Sequence, residues 1–75
     1  MLGEREAVVA EVKAYEVHGS PHVQVALAFA DQTFMQAQLG AESVPAGLRP
    51  GDAVIVRLAM NVVVAIDRAA APPQP

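Results

Sequence analysis

Two histidines, His18 and His22, sit four residues apart with Glu16 just upstream. Imidazole nitrogens and a carboxylate so spaced are ligands that zinc or copper accepts. Gly19 and Pro21 lie between the histidines, which puts the pair in a turn and not on one helical face. The plainer reading is a solvated loop, so no metal centre is expected and His18 and His22 stand only as candidates. A second set, Ser43, Arg57 and Asn61, offers a hydroxyl, a guanidinium and an amide. Those are the donor types an oxyanion recruits. Each has an ordinary structural alternative: a cap on a helical turn for Ser43, a solvent-facing strand position for Arg57, a left-handed turn position for Asn61. Catalysis finds no support. Cysteine is absent, both histidines share one loop, and no carboxylate dyad can be argued. The residues point to a protein that is not an enzyme.

The elements that must position these groups are limited by size. Seventy-five residues make one domain with a thin core. Yet 53% of the side chains are hydrophobic, more than a small barrel interior needs. Surplus apolar surface on a domain this small predicts burial against another copy or a partner, so a homo-oligomer is expected. The formal charge of −3 argues against nucleic acid, whose binders present a basic face. Tyr15, Phe29 and Phe34 are also too few to make a stacking platform. No apolar run is long enough to span a membrane. The opening MLGERE lacks the basic-then-apolar pattern of a signal peptide. A cytoplasmic location is therefore expected, in a bacterium by the Ala-, Val- and Arg-rich composition.

Alternation with period two, the strand signal, runs through most of the chain. Val8, Ala10, Val12 and Ala14 are predicted to share one face, with Glu11, Lys13 and Tyr15 on the other. His18-Gly19-Ser20-Pro21 reads as a turn. Val23, Val25, Leu27 and Phe29 then point one way, with Ala26, Ala28 and Ala30 the other. Asp31-Gln32 forms the next tip, and Thr33 to Leu39 returns. A two-residue loop there would bury Gln36 and Gln38, whereas a three-residue loop buries Met35, Ala37 and Leu39. The second is predicted, because unpaired buried amides are costly. Alternation stops from Gly40 to Gly51. There Ala41 to Val44 suggests a short helical turn, Leu48 a plug for the barrel end, and Arg49-Pro50-Gly51-Asp52 a turn into a strand. Val54, Val56 and Leu58 follow on one face, Ile55 and Arg57 on the other, before a tight Ala59-Met60-Asn61 connection and a last strand from Val62 to Ile66. The fold expected is all-β, a small five-stranded OB-like or SH3-like barrel with a short helical turn between strands 3 and 4. Residues 1–68 form the single domain, and 69–75 a disordered, Pro-rich tail.

The outer stripe of Ala26, Ala28 and Ala30, with Phe34 and Ile55, is apolar where an antiparallel face should be polar. These five residues are the predicted oligomer interface.

From Leu48 to Ile66 the sequence LRPGDAVIVRLAMNVVVAI resembles the TOBE domain, the transport-associated OB-type module also found in molbindins. Ser43, Leu48, Pro50, Gly51, Asp52, Val54 and Val63 fit that pattern, and Val8-Val9 and the VQVAL run fall where the family places its first two strands. The resemblance implies an oligomeric, non-catalytic module that binds small oxyanions such as molybdate or tungstate. Among its departures, Ala59 and Asn61 stand where molbindins carry a lysine and a serine. A structural or regulatory protein-interaction module without a small ligand is the alternative.

Overall fold

The computed structural model describes residues 2–69. The strands are β1 (Leu2–Val17), β2 (Ser20–Phe29), β3 (Phe34–Gly40), β4 (Ala53–Ala59) and β5 (Val62–Arg68), with a 3-10 turn over Ala41–Ser43. All neighbours pair antiparallel, in the order β3-β2-β1-β4-β5. The sheet curls until its end strands, β3 and β5, approach each other, as in a five-stranded OB-type barrel. The all-β barrel with one short turn between strands 3 and 4 is what the sequence predicts. The Pro-rich stretch 70–75 lies outside the described residues; Ala69 donates its N–H to the Ala53 carbonyl at 3.1 Å.

β1 is long because it serves two partners. Its first half pairs with β4, from Leu2↔Ala59 to Val8↔Ala53, and from Ala7 onward it pairs with β2. Between Val9 and Glu11 the β1–β2 register slips by one residue, which makes Ala10 a bulge. The slip corrects the predicted face. Ala7 and Val9 point inward, and after the bulge half-buried Val12 packs against the core, whereas Val8 is 46% exposed and Ala10 and Ala14 are exposed. The stretch Ala7-Val8-Val9-Ala10 is apolar in both phases, so alternation alone could not choose between them.

The β2–β3 register is the one predicted from the cost of burying amides. Val25 faces Ala37 and Val23 faces Leu39, while Gln36 and Gln38 stay exposed. The Phe29 N–H donates to the Thr33 carbonyl at 2.9 Å and Gln32 N–H to the Phe29 carbonyl at 3.0 Å, leaving Ala30, Asp31 and Gln32 as the loop. Gln32, at φ 68°, takes the left-handed position this loop type requires.

Two hairpins use two-residue turns with both φ values positive. In the first, His18 (49°) and Gly19 (81°) join Val17 to Ser20, so the turn is tighter than predicted and Ser20 and Pro21 already belong to β2. In the second, Met60 (52°) and Asn61 (67°) join Ala59 to Val62. A methionine there has no side-chain compensation for a left-handed backbone. Replacing Met60 with asparagine is expected to stabilise the fold by about 0.5–1 kcal/mol, read as a higher urea midpoint at unchanged slope.

The core holds Val9, Val25, Leu27, Val54, Val56 and Ile66, each at most 1% exposed, with Ala7, Phe29, Ala37 and Leu39 around them. Apart from Phe29, every large member is β-branched or leucine, which suits a pleated, curved sheet. Leu48 and Val44, from the segment between β3 and β4, pack against this cluster and close one end.

Candidate functional site

The Arg49–Asp52 turn is the best-determined piece of local chemistry. Pro50 presets its own φ, Gly51 adopts φ 95°, and the Asp52 N–H donates to the Arg49 carbonyl at 3.1 Å, which makes a type II turn. The turn then docks on β1 beside the bulge. Gly51 N–H donates to the Val9 carbonyl at 2.7 Å, and Val9 N–H donates to the Asp52 carbonyl at 2.9 Å. The Asp52 carboxylate accepts from the Arg49 N–H at 2.9 Å and from Arg68 Nη1 at 3.1 Å, and Arg68 Nη2 reaches the Ala46 carbonyl at 2.9 Å. One aspartate thereby fixes the turn, the end of β5 and the connecting segment together.

Asp31 does similar work at the β2–β3 tip. It accepts from the Thr33 hydroxyl and N–H and pairs with Arg5 at 3.4 Å, while the Arg5 guanidinium lies 4.0 Å over the Phe29 ring. Hydrogen bonds from Thr33, then the charge of Arg5, hold the Asp31 carboxyl below its ordinary value. The Arg49 N–H and then Arg68 do the same for Asp52. A carboxylate whose folded pKa is depressed contributes stability that is complete above its unfolded pKa and is lost as pH falls through the folded one. Denaturation midpoints should therefore hold above about pH 5 and decline from about pH 4 downward. Asp52→Asn should flatten that decline; an unchanged acid profile would contradict the assigned role.

The predicted donors Ser43, Arg57 and Asn61 do not converge on one point. Arg57 Nε lies 2.8 Å from Asp67 and 3.7 Å from Glu4, so its guanidinium sits between two carboxylates on the outer face of β1, β4 and β5. Asn61 is at the tip of the β4–β5 turn, in the left-handed conformation. Ser43 ends the 3-10 turn and caps nothing: the N-cap is Gly40, with no side-chain cap bond. It lines a hollow with Ala65, Asp67 and Arg68, four or more residues along the chain from Asn61, which is roughly 13 Å at strand rise.

The two histidines are likewise separated in role. His18 is in the turn itself, whereas His22 lies in β2, its ring 5.6 Å from Tyr15 and its Nδ1 3.0 Å from the Ser20 carbonyl oxygen. Among the described residues no group of three or more His, Cys, Asp or Glu side chains could hold a metal ion.

The predicted interface residues all lie on the outside of the sheet or at its rim, in differing surroundings. Ala28 pairs laterally with Phe34 on one side and Val8 on the other, and Val8 pairs with Ala53. An apolar row therefore runs across four strands, perpendicular to them. Phe34 at its end is 71% exposed. Ala30 stands at the adjoining loop. Ile55 has Glu6 and Asp67 as lateral partners. Ala26 is the floor of a polar hollow of about 170 Å³, walled by Glu11, Lys13, Gln24 and Gln36. Gln24 Nε2 donates to Gln36 Oε1 there at 3.3 Å. This hollow escaped sequence reasoning, although the outward phase of Lys13, Gln24 and Gln36 was visible; what was missing was the lateral register that groups them.

Fold and surface thus define a small OB-type barrel whose distinctive feature is a clasped Pro-Gly-Asp turn docked on β1. Residues 4–65 match the family profile of the TOBE domain. The chain belongs to the TOBE-domain family, small domains associated with molybdate-binding transport and its regulation. No curated protein and no solved structure gives a significant match. No helix among the described residues is long and apolar enough to cross a membrane.

Proposed function

We propose that this chain is a non-catalytic TOBE-type module that works by assembling with a second copy of itself through the outer face of its sheet. The observation that carries this reading is the exposed apolar row from Phe34 through Ala28 and Val8 to Ala53. A solvent-facing antiparallel face carries polar residues, and a contiguous apolar strip on so small a domain calls for cover. Its surroundings sharpen the contrast, because the polar hollow at Ala26 and the Glu4–Arg57–Asp67 cluster flank the strip and are well suited to water. Sedimentation velocity from micromolar to millimolar chain decides the matter. A mass rising to at least a dimer supports assembly; a monomer throughout overturns it.

A second reading, binding of a small oxyanion, is favoured by family membership and by Lys13, which stands beside the amides of Gln24 and Gln36 and forms no salt bridge among the described residues. Arg57 is a poorer donor, since Asp67 and Glu4 already occupy its guanidinium. Glu11 on the rim of the Ala26 hollow opposes entry of a dianion, which leaves assembly the stronger reading. Isothermal titration with molybdate, tungstate and sulfate should give heat that Lys13→Ala abolishes. The absence of heat at high chain concentration rejects the oxyanion.

A further inference from the structure

The polar hollow over Ala26 mixes donors and acceptors in one small space. The bulge at Ala10 reverses the phase of β1, so Glu11 and Lys13 turn outward where an unbroken strand would have turned them to the core. Register then sets Glu11 beside Ala26 and Gln36 in one row, and Lys13 beside Gln24 in the next. Gln24 Nε2 is committed to Gln36 Oε1, which leaves Gln24 Oε1 to accept and Gln36 Nε2 to donate. Glu11 adds a carboxylate and Lys13 an ammonium, and neither forms a salt bridge among the described residues. The four side chains carry no net charge together, over a floor that is one half-buried methyl group, Ala26.

We infer that this hollow binds one ring of a small neutral saccharide. Charge sets the class of ligand. An anion meets Glu11 and a polycation meets Lys13, each a like charge that opposes entry. A zwitterion suits the two charges, but exposed ion pairs gain little in water, and both amides stay unused. A sugar hydroxyl donates and accepts at once, so neighbouring hydroxyls satisfy the whole mixed set, with the charged partners giving the stronger bonds. Size agrees. The hollow holds about 170 Å³, and a cavity on the order of 150 Å³ already accepts benzene, so one six-membered ring fits. Its C–H face then rests on the Ala26 methyl. Two residues further along β1, about 7 Å at strand rise, Tyr15 pairs with His22. Their ring centroids are 5.6 Å apart, and both residues are half-buried. Rings with an apolar body and a polar tip suit the next unit of a disaccharide. This ligand is independent of assembly and competes with the oxyanion for the same hollow, so the two are titrated side by side.

The test is nuclear magnetic resonance of the full, nitrogen-labelled chain, titrated separately with maltose, cellobiose, sucrose, free glutamine and molybdate. At least one disaccharide should shift the side-chain amide signals of Gln24 and Gln36 saturably, with a dissociation constant in the millimolar range, as expected for so open a site (about −4 kcal/mol at 1 mM). Gln36→Ala should raise that constant about three- to tenfold and Glu11→Ala about tenfold or more. Both positions are exposed, and circular dichroism verifies that the variants fold. Glu42→Gln, in the 3-10 turn and outside the hollow, should leave the constant unchanged. Silence of both amides with all three sugars up to about 100 mM overturns the inference. So does a response to glutamine or molybdate alone, which hands the hollow to a zwitterion or to the oxyanion. A sugar that binds Glu11→Ala and Gln36→Ala as tightly as the unaltered chain shows that the site lies elsewhere.

Discussion

Replacing Leu27 with alanine is expected to cost about 3 kcal/mol, a quarter or more of the stability a chain of this length has. Leu27 is fully buried at the centre of β2, facing Val9 on one side and Met35 on the other. Removing its branched end forfeits transfer energy and leaves a cavity that a curved sheet cannot collapse, since the pleat holds its neighbours apart; such changes cost about 2–5 kcal/mol. A domain of this length has only about 4–11 kcal/mol of total stability at typical values per residue. The midpoint of thermal unfolding should drop by about 10–25 °C. Val8→Ala, one strand position away but on the outer face, should change stability by less than about 1 kcal/mol. If the two variants melted alike, the inward phase assigned to β1 and β2 would be wrong.

Gly51→Ala is expected to cost about 1–3 kcal/mol for a different reason. A methyl group added at Gly51 meets nothing within 4 Å, so the loss cannot come from a clash. It comes from the backbone: φ is 95°, outside what an L-residue adopts without strain. The strain cannot be relieved cheaply, because turning Gly51 out of that conformation breaks its hydrogen bond to Val9 and misaligns the Asp52 carboxylate with Arg68. Gly3 is the control. It too has open space around an added methyl, but its φ is not positive and it lies in β1, so Gly3→Ala should be neutral or slightly stabilising. Urea denaturation of the pair separates conformational from steric cost. Equal midpoints would reject the type II turn.

The Pro-Gly-Asp motif shows how sequence and structure divide the account of this chain. That the motif is a turn before a strand follows from the residue types alone, since proline fixes one φ and glycine permits the next. That Asp52 reaches Arg68, sixteen residues on, is a fact about where β5 ends, and local spacing carries no information on it. The same holds for Arg57. Alternation places it on the outer face, but only pairing with β1 and β5 delivers Glu4 and Asp67 to its guanidinium. A residue that looks like a free oxyanion donor in the chain is thereby already occupied in the fold.

For the interface the lesson concerns direction. Period two identified Ala26, Ala28 and Ala30 as an outward stripe along one strand. In the folded sheet the lateral neighbours decide the surroundings: Ala28 lies between Phe34 and Val8, whereas Ala26 lies between Glu11 and Gln36. The continuous apolar strip therefore crosses the strands.

By itself the sequence determined the all-β class, the turn positions and the β2–β3 register. These depend on short-range matters: which φ values a residue tolerates, and whether an amide or a methyl is buried. The tertiary structure decided the bulge at Ala10, the strand order and the grouping of charged and apolar side chains on the outer face. Each of those depends on pairing between residues distant in the chain, and for the Ala7–Ala10 stretch both phases are apolar. Only the docking of the Gly51–Asp52 turn against Val9 and the demands of two strand partners select the one observed.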